Sequence, residues 1–273
     1  MRGVVRDSIS SARELAKHVL RPVLRPRRTD LCCCGLSKTG THSLAGVFEG
    51  YKSLHHPDQD LRLGLAIAWL KGELDPAQAR RTLQRRDRAL WLEMESSSLG
   101  GILIEPLAHA CPNKKFILTV RDPLAWCDSW IDHNINRPPD LSSLWGMLDQ
   151  LRLRAGAFEP TLFDAPLTER GFLPLPCYLQ LWTGHNERVL RAVEPDRLLL
   201  LRTDEIAKRL PELAAWAGIP VETLRSERSW LFAAPKKHGV LAELDPRYLR
   251  ATLEEQCGPL MRRLAFAVPG DRD

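Results

Sequence analysis

A three-layer α/β fold, with a central parallel β-sheet and helices on both faces, is what this sequence predicts, and three observations carry it. Short apolar runs at Leu31-Cys32-Cys33-Cys34, Phe116-Ile117-Leu118-Thr119-Val120 and Leu198 to Leu201 have the length and character of strands buried on both faces. Stretches with apolar residues at helical spacing alternate with them, the pattern of a parallel sheet wound with helices. The first run also leads into a glycine-bounded loop, Gly35 to Gly40, and then a helix. In that arrangement main-chain N–H groups converge beside the positive end of a helix dipole, where anions bind.

The whole-chain properties agree. With 273 residues the chain can bury a full core, and 44% hydrophobic and 27% charged residues are ordinary for a globular protein. The net charge of +5 is too modest to argue for nucleic acid. It is carried by arginine more than lysine, which suits forked recognition of phosphate or sulfate, although a GC-rich genome supplies the same bias. The seven cysteines show no C-x-x-C pair, so a reduced, cytoplasmic compartment is expected and the Cys32-Cys33-Cys34 run reads as small apolar filler. No apolar stretch approaches the ~18 residues that span a bilayer, and no secretory h-region opens the chain.

Residues 1–29 form a basic extension. Ile9, Ala12, Leu15 and Val19 lie near helical spacing, and Arg25-Pro26-Arg27-Arg28 reads as an extended lead-in. A packed extension is expected, with weak membrane-surface or partner contact as the alternative. Residues 30–273 read as a single domain. After the loop, Leu44, Val47, Phe48 and Tyr51 form one helical stripe ending near Gly50. Ser53-Leu54-His55-His56-Pro57-Asp58 reads as a second strand and its exit turn. A helix over 61–72 follows, then one opened by Asp75-Pro76 and running to about Arg88. Leu90 to Glu95 is strand-like, and a serine-rich turn leads to a helix through Ala110. Asp122 can cap and Pro123 open the helix after the central strand. Residues 137–176, rich in proline and poor in periodicity, read as a variable insertion on the acceptor side. A helix from Cys177 to Val193, the strand at 198–201 and further helices from Asp204 complete the chain, broken by Ala234-Pro235-Lys236-Lys237-His238-Gly239.

The loop carries half of a nucleotide-binding P-loop pattern, Gly35-x-x-x-x-Gly40. The Lys and Ser/Thr that should follow the second glycine are replaced by Thr41 and His42, and the lysine, Lys38, sits inside the loop. A second feature is Arg121 at the end of the central strand, with Ser129 eight residues on, about two helical turns away. An arginine fork and a hydroxyl can hold a second phosphate while the loop holds a diphosphate-like group.

These segments together resemble the sulfotransferases that use 3′-phosphoadenosine 5′-phosphosulfate (PAPS), whose fold is P-loop NTPase-like. The resemblance rests on Gly35-Leu36-Ser37-Lys38-Thr39-Gly40-Thr41-His42-Ser43-Leu44 and on Phe116 to Pro123 through Ser129, and more softly on Lys236 to Leu241. It implies that Ser37, Lys38, Thr39, Gly40, Thr41, His42 and Ser43 hold the 5′-phosphosulfate, with Lys38 neutralising the leaving group. It implies Arg121 and Ser129 at the 3′-phosphate, with Lys237 and Gly239 closing that side. It also implies a donor of PAPS, a product of adenosine 3′,5′-bisphosphate (PAP), and no required metal. Thr203 departs from the pattern, since many relatives place an adenine-contacting aromatic near there.

The acceptor needs a base for its proton. His55 and His56 after the second strand, and Glu93 and Glu95 at the third, are the candidates, with His56 ranked first and Glu95 second. Histidine needs little tuning near neutral pH, whereas a glutamate needs burial to raise its pKa. His185 and Asn186 are expected to face solvent, with lining of the acceptor cleft as the alternative, and Trp126 and Trp130 to be core rather than an adenine shelf. The acceptor itself, a carbohydrate, lipid-linked or small-molecule hydroxyl or amine, is not encoded in any motif. The competing functions are a P-loop kinase-like enzyme and a non-catalytic nucleotide-binding protein.

Overall fold

The computed structural model describes residues 26–153, 158–229 and 236–266. Residues 1–25 of the basic extension, with Ile9 to Val19, and the Ala234-Pro235 pair lie outside the described residues. Among the described residues five short strands form one sheet: β1 (Leu31–Cys33), β2 (Ser53–His55), β3 (Met94–Ser96), β4 (Lys115–Val120) and β5 (Leu198–Arg202). Their order is β2-β3-β1-β4-β5, and every pairing is parallel. The helices are α1 (Thr41–Val47), α2 (Gln59–Leu70), α3 (Pro76–Leu90), α4 (Ser98–Ile102), α5 (Ile104–Ala110), α6 (Pro123–Asn136), α7 (Leu144–Leu153), α8 (Ala165–Thr168), α9 (Leu175–Ala192), α10 (Leu210–Ala217) and α11 (Pro246–Arg263).

Strand periodicity divides the core into two layers. Side chains alternate across a strand, so Leu31, Cys33, Ile117, Leu199 and Leu201 face the α1 and α10 side. Cys32, Cys34, Phe116, Leu118 and Val120 face the larger helical layer. All three consecutive cysteines are fully buried thiols, the filler role expected of them.

Local signals set several boundaries as expected. Asp75 Oδ1 accepts from Gln78 N at 2.8 Å, with Pro76 opening α3. Asp122 Oδ1 accepts from Ala125 N at 2.9 Å, with Pro123 opening α6. Elsewhere packing moved them. The third strand begins at Met94 rather than Leu90, because α3 runs on through Leu90 and ends where Trp91 turns left-handed at φ 50°. The first helix stops at Val47, and Tyr51 returns to the same apolar layer, 5.6 Å from the Phe48 ring.

The described residues of 137–153 and 158–176 pack into the domain. Gly146, inside α7, permits a close approach: a Cβ there would lie 2.4 Å from the Asp140 carbonyl oxygen. Leu148 and Leu153 of α7 are buried in the large core. Further on, Asp164 is fully buried and accepts from Thr161 N and Oγ1, Leu175 N and the Tyr248 hydroxyl, at 2.7–3.0 Å. Among the described residues no helix is long and apolar enough to cross a membrane.

Candidate functional site

The sheet order changes direction between β1 and β4, and the crevice beyond the carboxyl ends of such strands is where open α/β sheets bind ligands. The glycine-bounded loop leaves β1 there, and Arg121 leaves β4 beside it. Gly35 makes the approach possible, since a Cβ on it would lie 2.0 Å from Thr119 Oγ1 and 2.5 Å from the Thr119 carbonyl oxygen. Lys38 is held at φ 70° and Gly40 at φ 89°. A lysine in the left-handed region is strained, and such strain gathers at functional sites.

Five carbonyl groups in and just before the loop accept side-chain hydrogen bonds, one of them from within the loop. Cys34 O accepts from His185 Nε2 at 2.9 Å, and Leu36 O from Thr39 Oγ1 at 2.7 Å. Ser37 O accepts from Trp126 Nε1 at 2.8 Å, Lys38 O from Arg121 Nη1 at 3.4 Å, and Thr39 O from Thr203 Oγ1 at 2.8 Å. Carbonyl dipoles drawn into the protein leave the opposite side of the loop suited to an anion. Sequence reasoning missed these buttresses. Trp126 is indeed core, but its indole N–H also ties α6 to the loop. Thr203 stands where an aromatic was sought and holds the loop instead. His185 and Asn186, expected to face solvent, are each only 1% exposed. Burial pushes the His185 pKa down to about 3, so its Nε2–H is a fixed donor to Cys34 O.

Arg121 is itself anchored, because its carbonyl oxygen accepts from Trp182 Nε1 at 2.9 Å. Burial lowers the pKa of Arg121, and burial together with the charges of Arg121 and Arg137 lowers that of Lys38. The pair is a partly desolvated concentration of positive charge, which an anion would relieve. Ser129 is half-buried two turns along α6. The late segment docks on the same helix: His238 N donates to Asp132 Oδ1 at 2.8 Å, and Asn136 Nδ2 to Lys236 O at 3.0 Å. Gly239 turns there at φ 68°. Exposed Lys237 acts electrostatically on Asp128, the neighbour of Ser129.

The histidines gather at the other side of the loop. His42 and His55 rings lie 4.6 Å apart, His55 and His56 rings 4.3 Å apart, and the Trp145 ring stands edge-on to His56 at 5.3 Å. Thr41 Oγ1 is 3.3 Å from His55 Nε2, and Ser96 Oγ donates to Thr41 O at 2.6 Å, which joins β2 and β3 to the start of α1. Ser37 Oγ donates to Ser98 Oγ at 3.1 Å, and Ser43 is buried behind the loop. Burial, then the neighbouring His56 and His42, pushes His55 down to about 3. Burial, then the Arg62 charge, pushes His56 down to about 4. Both rings are neutral at pH 7, the form that can accept a proton.

The glutamates are placed differently from expectation. Glu95 is buried, with Oε1 accepting from Arg62 Nη1 at 2.6 Å and Oε2 from Arg86 Nη1 at 2.7 Å. Burial alone would raise its pKa, but the charges of Arg62 and Arg86 outweigh it and hold the carboxyl below its usual range. Both oxygens are committed, so Glu95 is a structural anion and not a base. Glu93 pairs with Arg28 at 2.7–2.8 Å and accepts from the Lys52 and Arg28 main-chain N–H groups, which brings its pKa down to about 2. Of the four candidates the two histidines remain, His56 at a strained φ of 49° and followed by Pro57, whose carbonyl accepts from Arg86 Nη2 at 3.1 Å.

A strand–loop–helix turn facing an arginine on the adjacent strand, beside three histidines whose rings lie in contact one after the next, marks the crevice of this α/β fold. The sulfotransferase domain model matches residues 30–210, and the chain belongs to that family. No curated protein matches the chain. Among solved structures, it is similar to a sulfotransferase from Alicyclobacillus acidocaldarius, at 15% identity and a TM-score of 0.52, covering 90% of this chain and 99% of that one. A sulfotransferase domain from the curacin biosynthetic pathway aligns at 14% identity and a TM-score of 0.44, over 88% of this chain and 99% of that one. The likeness to the Alicyclobacillus structure extends to the fold.

Proposed function

We propose that the chain transfers the sulfuryl group of PAPS to a hydroxyl or amine of a carbohydrate, lipid-linked or small-molecule acceptor. The observation that carries this reading is the joining of Arg121 to the Lys38 carbonyl across the switch point. One anion loop and one arginine, fixed to each other, suit a donor with phosphates at two positions. Ser37 to Ser43 would bind the 5′-phosphosulfate, and Arg121, Ser129, Lys237 and Gly239 the 3′-phosphate. In the reaction the bond between sulfur and the bridging oxygen breaks, one forms to the acceptor oxygen or nitrogen, and the acceptor's proton passes to His56. Lys38 neutralises charge on the departing bridging oxygen. Transfers of this kind have loose transition states in which positioning and electrostatics do most of the work.

Thermal unfolding with ligands tests the donor. PAP at ~100 times its dissociation constant adds about 2.7 kcal/mol to a protein that binds it only when folded. A rise in Tm with PAP in the absence of magnesium, and none with ATP and magnesium, is the expected result. The opposite pattern would assign the chain to a kinase-like activity. Screening acceptors with labelled PAPS then identifies the second substrate.

A further inference from the structure

We propose that Ser97 is the positioning residue for His56, holding it as the tautomer protonated on Nδ1 and leaving Nε2 to take the acceptor's proton. The role rests on the proposed assignment of His56 as base. Ser97 follows β3, where its N–H donates to Cys33 O at 3.0 Å, fixing it to the end of β1. It is 1% exposed. Its Oγ accepts from Leu99 N at 3.2 Å, capping α4, and lies 3.0 Å from His56 Nδ1.

The ring cannot easily turn away from this contact. His56 N donates to Ser96 O at 3.0 Å, and the residue after it is held through the Pro57 carbonyl by Arg86, which Glu95 holds in turn. The His55 and Trp145 rings stand at 4.3 and 5.3 Å. Neutral imidazole carries one proton on one of its two nitrogens, and the hydrogen bond made by one nitrogen decides the task of the other. A serine oxygen has two acceptor lone pairs. One serves Leu99 N–H, and the second can serve His56 Nδ1–H. That arrangement leaves the Nε2 lone pair open. The opposite one, with the Ser97 hydroxyl donating to Nδ1, would place the ring proton on Nε2 and block the base.

Ser97 thus stands where other nucleophile-activating histidines have a carboxylate, and being uncharged it does not oppose the forces that keep His56 neutral. The charged and titratable groups acting on His56 are Arg62 from α2, Glu95 from β3, Arg152 from α7, and His42 and His55 from α1 and β2. Only Glu95 among them favours the protonated ring.

The test uses the full chain labelled with 15N-histidine and long-range 1H–15N correlation, with His56 assigned by the signal lost in His56→Gln. The wild-type ring is expected to carry its proton on Nδ1 at neutral pH. A wild-type ring protonated on Nε2 overturns the role. Ser97→Asp retains a helix-capping side chain and offers Nδ1–H a charged acceptor, so the His56 titration midpoint should rise by about one pH unit or more. An unmoved midpoint, in a variant whose Tm still rises with PAP, reduces Ser97 to a helix cap and overturns the role. In Ser97→Thr, which keeps the hydroxyl, the wild-type tautomer should persist. Failure of PAP to raise the wild-type Tm counts instead against the donor, and the tautomer measurement is unaffected by it.

Discussion

Arg121 and Lys38 meet through one hydrogen bond, from the guanidinium at the end of β4 to the main-chain oxygen of the lysine in the loop after β1, at 3.4 Å. The contact ties the loop after β1 to the arginine after β4, and in the proposed function it would give Arg121 two tasks, shaping the loop and offering a fork to a second phosphate.

Arg121→Ala removes both. It is expected to weaken PAP binding by about 2–5 kcal/mol, the cost of truncating one partner of a desolvated charge pair. Titration calorimetry with PAP measures this, and unchanged affinity would refute the assignment.

Lys38 acts differently. In the proposed reaction its charge would matter most as the leaving group develops, so Lys38→Ala should lower turnover on the order of 10²–10³-fold while weakening PAP binding far less. Alanine keeps a Cβ at the left-handed position and therefore retains the backbone strain. Turnover with labelled donor and PAP affinity, measured on one preparation, separate the two; equal losses would contradict the role.

Glu95→Ala leaves Arg62 and Arg86 buried without their carboxylate, at a cost of about 3–5 kcal/mol in urea unfolding. The folded carboxyl titrates below its usual value, so its contribution is complete above that value and is lost as pH falls through the folded pKa. The variant should therefore lose less stability than wild type on acidification. Full stability with abolished turnover would instead restore Glu95 as the base.

His185 supplies a second pH dependence. It stays neutral in the fold down to about 3, whereas in the unfolded chain it protonates near the ordinary histidine value of about 6.5. Its contribution is complete above that value and declines by about 1.4 kcal/mol per pH unit as pH falls toward the folded pKa. His185→Gln, which keeps a donor for Cys34 O, should show a smaller drop in Tm between about pH 7 and about pH 5. An identical drop would refute this.

Local chemistry made much of the architecture legible. The Asp75-Pro76 and Asp122-Pro123 pairs mark helix starts because cap and ring act on their own turn. The apolar run at Phe116 to Val120 marks a central strand because both its faces are covered. By contrast α7 follows Arg137-Pro138-Pro139 and carries Gly146, so local propensity argues against it, and burial of Leu148 and Leu153 completes it. The fates of the two glutamates were equally hidden. Nothing near Glu95 in the chain announces Arg62, 33 residues earlier.

What the sequence by itself determined is the parallel sheet, the glycine-bounded loop after β1 and the arginine after β4, because strand character, glycine spacing and a cap-and-proline boundary are properties of neighbouring residues. Tertiary structure alone decided that Glu95 serves two arginines, that Trp126, Thr203 and His185 donate to the carbonyls of Ser37, Thr39 and Cys34, and that Ser97 meets His56. Those roles depend on partners as far as 164 residues apart. They depend also on burial, which converts an ordinary polar side chain into an obligatory hydrogen-bonding partner.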